Sequence, residues 1–149
     1  MTAKPSGSSG GLARLRASQL KVGDTREAVL VENLSRTQIV MYAGASGDFN
    51  PIHHDETFAT KAAGYPSVFA HGMLTMGMTG RLLTDWLGDG VLRDYGVRFV
   101  KQVWPGDSLT AKGTVTAIGV DGTIEIDVVT TNQKGEPVVA GTARALLPR

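Results

Sequence analysis

"HGMLTMGMTGRLLTDWLG" (residues 71–88) decides how the rest of the chain must fold. Met73, Leu74, Met76, Met78, Leu82, Leu83, Trp86 and Leu87 fall at helical spacing and occupy nearly every side of the helix they predict. A helix that is apolar around most of its circumference is covered on most sides. Gly77 and Gly80 each cost about 1 kcal/mol against alanine in a helix interior. Close approach of a neighbouring backbone or of a ligand is the expected compensation.

Working outward toward the C-terminus, the period changes to two at residue 91. "VLRDYGVRFVKQV" (91–103), "SLTAKGTVTAIG" (108–119), "TIEIDVVTTN" (123–132) and "PVVAGTARALL" (137–147) read as four strands. Leu109, Ala111, Val115 and Ala117 form one inward face, and Ile124, Ile126 and Val128 another. "WPGDS", "VDG" and "QKGE" supply the turns, so the strands follow one another as antiparallel hairpins. Toward the N-terminus, "REAVLVEN" (26–33) is a further strand. The prediction is an α+β fold, a curved antiparallel sheet wrapped around one long central helix. Residues 12–149 form that single domain, and residues 1–11, "MTAKPSGSSGG", read as a flexible head or tag-like segment. An edge strand of such a sheet invites pairing, which predicts a dimer.

Composition narrows the function. Among 149 residues the formal net charge is +1, giving no electrostatic case for nucleic acid or an acidic membrane surface. Cysteine is absent, which removes disulfides, thiolate metal sites and a cysteine nucleophile, and favours a cytoplasmic chain. No run approaches the roughly 20 apolar residues of a membrane span.

Between the first strand and the long helix lie two polar segments. Ser35 is a suitable N-cap for a helix carrying Ile39, Tyr42 and Ala43 on one face, with Gly44 and Gly47 ending it. "YAGASGDFNPIHHDE" (42–56) follows, and Asp55 can cap a short helix closed by Gly64. Asp48 and His53 would not share a helical face, but Pro51 makes the segment a bend, and a bend can bring a carboxylate and an imidazole to one point. Such a pair, sharing a water molecule, performs acid–base chemistry, with Asn50 able to orient one member. The segment alone leaves a second reading open: Asp48 as an Asx-turn residue and His53 as a satisfied buried histidine. His71 and Gly72 then fall where the long helix begins. N–H groups at a helix start, beside a glycine that lets a ligand approach, suit a developing oxyanion; a plain helix-start role for His71 is the alternative. A metal site from Asp48, His53, His54 and Asp55 lacks the spacing of a known zinc motif, so no metal is expected. Met73, Met76 and Met78 read as core or as the wall of an acyl tunnel, with Gly77 leaving room for a chain. Lys61, Arg93, Arg98 and Lys101 read as surface charges, and Arg81 and Asp85 as an i, i+4 pair.

These motifs resemble the MaoC-like, or hydratase-2, group of hot-dog-fold enzymes. Tyr42, Ser46, Gly47, Asp48, Asn50, Pro51 and His53 match its first motif, and Ala70, His71 and Gly72 its second. "YGVRFVKQVWPGDSLTAKGTV" is similar to its later strands, and the resemblance runs over about 100 residues from Val22 onward. It implies (R)-specific hydration of a trans-2-enoyl thioester, or the reverse dehydration, with no cofactor. Carried over by position, Asp48 and His53 become the catalytic pair that activates water. Asn50 becomes a supporting amide, and the Gly72 N–H the thioester-oxygen donor. His71, Met73 and Gly77 stand with Gly72 along the substrate. Some relatives hold a serine midway along the long helix; here Gly80 stands at that place, and Thr79 beside it is the candidate support. The implied partners are an acyl thioester of CoA or an acyl carrier protein, and a second copy or another hot-dog subunit. The rival readings are a hot-dog thioesterase and a non-catalytic acyl-binding subunit.

Overall fold

The computed structural model describes residues 12–149, so the reading of residues 1–11 as a flexible head lies outside the described residues. In chain order the elements are β1 (Leu12–Ala13), β2 (Thr25–Val31), α1 (Arg36–Ser46), α2 (Gly72–Leu87), β3 (Gly88–Asp89), β4 (Leu92–Phe99), β5 (Leu109–Ile118), β6 (Thr123–Thr131) and β7 (Pro137–Leu146). The five longer strands form one antiparallel sheet in the order β2-β5-β6-β7-β4. β1 and β3 make a separate two-stranded ladder.

The period-two pattern places the sheet's apolar face as expected. Leu109, Ala111 and Val115 of β5 and Ile124, Ile126 and Val128 of β6 are buried. Ala117 departs from this face, because the β5–β6 register shifts between Val115 and Ala117 and leaves it only half-buried. Leu83 and Leu87 of α2 complete this core against Val115, Ile124 and Ile126. Truncating either leucine to alanine costs about 2–5 kcal/mol. Leu34, Ile39, Ala70, Val103, Leu109 and Val138 form a second core under the first half of α2, with Leu74 and Met78 against it.

As expected, α2 is covered on most sides, and one side is open. Met73, Gly77, Arg81 and Asp85 repeat every four residues and form an exposed stripe. The two glycines also part company. A Cβ at Gly80 would lie 3.1 Å from the ring of Tyr95, whose hydroxyl donates to the Met76 carbonyl at 2.7 Å. Burial pushes the Tyr95 phenol up to about 12, so it stays a donor. The compensation for Gly80 is therefore an aromatic ring from β4, neither backbone nor ligand. At Gly77, among the described residues, nothing outside its own stretch of helix comes within 4 Å of the place of a Cβ.

α1 begins as its sequence predicts. Ser35 Oγ accepts from the Gln38 N–H at 3.1 Å, and Gln38 Oε1 accepts from the Ser35 N–H at 2.9 Å. Gly44 lies inside the helix rather than at its end; Gly47, at φ 74°, is the residue that stops it. The short helix expected after Asp55 is a wider turn over Phe58–Ala62, in which the Ala63 N–H reaches the Phe58 carbonyl at 2.9 Å. Arg36 meets Glu56 at 2.6 Å and Ser67 at 3.0 Å, joining the start of α1 to this segment.

Candidate active site

The bend between α1 and α2 is built by side chains bonding to nearby backbone. Gly47 turns the chain in a left-handed conformation. Ser46 Oγ donates to the Tyr42 carbonyl at 2.8 Å and accepts from the Asp48 N–H at 3.2 Å. The Asn50 N–H donates to Asp48 Oδ1 at 3.2 Å, and Asn50 Oδ1 accepts from the Ile52 N–H at 3.1 Å. The second bond caps a single tight turn, Pro51–His53, with proline at its first position. Asp48 is thus an Asx-turn residue and a projecting carboxylate at once; Asn50 holds that carboxylate through its backbone N–H, while its side-chain amide serves the turn.

His53 is 7% exposed, and its Nδ1 lies 2.6 Å from the Phe69 carbonyl. A carbonyl only accepts, so Nδ1 carries the proton and the neutral ring presents a bare Nε2. Burial holds the pKa of His53 below the ordinary 6.5; the Phe69 carbonyl pushes back, His71 adds to the lowering and the Asp48 carboxylate opposes it. His71 is 2% exposed. Its Nε2 donates to the Asp48 backbone carbonyl at 3.0 Å, which leaves Nδ1 buried and without a partner. Its ring stacks on His53 at 3.8 Å between centroids and meets the edge of Tyr42 at 5.0 Å.

The bend does bring the predicted pair together. The Asp48 carboxylate and one nitrogen each of His53 and His71 lie within 4.8 Å of one another. A shared metal does not fit this arrangement. The rings are stacked with planes 26° apart, so an ion about 2 Å from a nitrogen of each would lie well out of both ring planes. A water molecule between a carboxylate and a neutral imidazole fits better, and that arrangement can pass protons at neutral pH.

Gly72 opens α2, so its N–H has no acceptor within the helix. Phe99 stands beside it, 3.1 Å from where a Cβ would be, and only glycine leaves that ring undisturbed. A cavity of about 270 Å³ lies here, walled by Phe69, Gly72, Thr75, Phe99, Val103 and Val138 among others. It borders Gly72 but neither Asp48 nor His53. Of the other residues expected at the substrate, His71 is sealed beneath the bend, and Met73, at 56% exposed, and Gly77 lie on the open stripe of α2. Thr79 is fully buried. Its hydroxyl bonds the Thr75 carbonyl at 2.9 Å and Thr130 Oγ1 at 2.6 Å, so it ties α2 to β6 instead of supporting the pair. His54 turns away to the Phe49 carbonyl at 3.0 Å. Sequence reasoning missed Phe69, whose contribution is a backbone atom that no motif encodes. It also missed Thr75, whose only signal is a hydroxyl one turn beyond His71.

Residues 17–136 match the family model described as MaoC like domain, and the chain belongs to that family. It is 35% identical over 107 residues to 3-hydroxyacyl-thioester dehydratase Y of Mycobacterium tuberculosis, covering 70% of this chain but 37% of that relative. It is 33% identical over 139 residues to the (R)-specific enoyl-CoA hydratase of Aeromonas caviae, covering 90% of this chain and 100% of that one. The solved structure of the (R)-hydratase from A. caviae involved in PHA biosynthesis has a TM-score of 0.77 at 30% identity, over 87% of this chain and 98% of that one. The ChsH1-ChsH2 complex from M. tuberculosis gives 0.75 at 30% identity, over 85% and 98%. The sheet with its central helix is the hot-dog fold of these structures.

Proposed function

We propose that this chain hydrates trans-2-enoyl thioesters with (R) stereochemistry, or runs the reverse dehydration of (R)-3-hydroxyacyl thioesters. The observation that carries this reading is the approach of the Asp48 carboxylate to a buried His53 whose Nδ1–H is committed to the Phe69 carbonyl. Asp48 and His53 hold a water molecule between them. As its oxygen bonds to Cβ, the pair takes one proton from the water and returns one to Cα. The electron pair of the alkene moves toward the thioester oxygen and is met by the Gly72 N–H. One such donor is worth about 2.7–4 kcal/mol in the transition state. Relatives with hydratase and dehydratase names support the reaction class.

The partner we infer is a second hot-dog subunit, either another copy or a different chain, as in the ChsH1-ChsH2 complex. β2 and β4 are the two edges of the five-stranded sheet and the strands open to pairing. The acyl group arrives on CoA or an acyl carrier protein, and we place the reaction in the cytoplasm. Among the described residues no helix is long and apolar enough to cross a membrane.

The test is to incubate the chain with a short trans-2-enoyl-CoA and follow loss of the conjugated absorbance, with Asp48→Asn and His53→Ala as controls. Formation of the 3-hydroxyacyl product by the unmodified chain only is the expected result. Release of free CoA without that product points to a thioesterase. No turnover, alone or with a hot-dog partner, leaves a non-catalytic acyl-binding subunit.

A further inference from the structure

Thr75 lies one turn into α2, is 2% exposed, and lines the cavity beside Gly72. Serine and threonine within helices commonly turn their hydroxyls back onto the preceding turn. Several in this protein do so: Ser46 to the Tyr42 carbonyl at 2.8 Å, Thr60 to that of Glu56 at 2.7 Å, and Thr79 to that of Thr75 at 2.9 Å. The Thr75 hydroxyl instead has no protein partner among the described residues. Nor is it sealed in: the side-chain polar atom that is both sealed and unpartnered among them is His71 Nδ1. The Thr75 hydroxyl therefore opens on the cavity. Lys101 and Gln102, the other polar side chains there, are exposed at its rim, and the remaining wall is apolar. A hydroxyl in an otherwise apolar cavity wall is the placed polar group that orients a ligand there.

The position of the cavity says which group. It touches Gly72 but not Asp48 or His53. With the thioester oxygen at Gly72 and the alkene at the Asp48–His53 pair, the cavity receives the arm on the other side of the carbonyl, beyond sulfur. In substrates borne on a pantetheine arm, that arm carries an amide two carbons from sulfur. We propose that Thr75 is a specificity-determining residue whose hydroxyl hydrogen-bonds this amide and so reads the carrier rather than the acyl group. The proposal rests on the hydratase reading above.

The test compares crotonyl-N-acetylcysteamine, which keeps the amide, with crotonyl pentyl thioester, which lacks it. The wild-type chain is expected to favour the amide substrate by roughly tenfold in kcat/KM. Thr75→Val should reduce this preference to about twofold, and Thr75→Ser should restore it. Thermal melts confirm that both variants are folded. An equal loss on both substrates in Thr75→Val overturns the proposal, as does an intact preference or a changed ranking of acyl chain lengths. Wild-type turnover of both thioesters without preference overturns it while leaving the hydratase reading intact. Failure to hydrate either thioester or crotonyl-CoA removes both.

Discussion

The rings of His53 and His71 stack 3.8 Å apart, and each ring donates one N–H to a backbone carbonyl, His53 to Phe69 and His71 to Asp48. Each carbonyl fixes the orientation of its own ring, and the stacked pair locks the bend carrying Asp48 to the start of α2.

His71 is thus a positioning residue. His71→Ala removes both the stack and the bond to the Asp48 carbonyl. The expected result is a fall in kcat of about 10–100-fold with little change in KM, since displacing a reacting group by about 1 Å costs on that order. His71→Gln, which can still donate to that carbonyl, should recover part of the loss. Steady-state kinetics on a short enoyl-CoA decide this; a rise in KM with unchanged kcat would instead make His71 a substrate contact.

Protonation of His53 should have two readouts. Its pKa is held below 6.5 in the folded chain, so between that lowered value and 6.5 the unfolded state binds the extra proton. Stability is then full above about 6.5 and falls as pH drops through this window. His53→Gln should flatten that part of the melting temperature against pH. The proposed reaction uses the bare Nε2, so it predicts an acid limb of kcat/KM below 6.5.

Gly72→Ala places a Cβ 3.1 Å from the Phe99 ring. Phe99 is half exposed and can swing, so folding should survive, but the displaced ring would crowd the cavity. A roughly tenfold or greater drop in kcat/KM is expected, on the scale of about 1–3 kcal/mol for overpacking. Phe99→Ala in the same chain should relieve part of it.

Thr79→Val leaves the Thr130 hydroxyl buried without its 2.6 Å partner. A loss of about 1–3 kcal/mol of stability is expected by denaturant unfolding, with kcat per folded molecule unchanged. A selective loss of kcat would return Thr79 to the catalytic support that the family resemblance suggested.

The fold was legible because its two periods are clean. Ile124, Ile126 and Val128 alternate without interruption, and Ser35 with Gln38 announces a helix start in four residues. The pair Asp48 and His53 was legible because proline and glycine force the bend between them. What sequence did not reveal depends on contacts between distant segments. Tyr95 fills the space above Gly80, and the Phe69 carbonyl selects the tautomer of His53. The open position of Met73 and Gly77 was not legible, because apolar and small residues look the same in a core and on an open side. Thr79 misled because a hydroxyl next to the expected position bonds a strand that lies 51 residues further on.

Both histidines are anchored to main-chain oxygens, which every amino acid supplies. The oxygen that holds His53 would therefore survive replacement of the Phe69 side chain, so the cavity wall can change while the imidazole stays in register with Asp48. Such an architecture separates the evolution of selectivity from the preservation of chemistry.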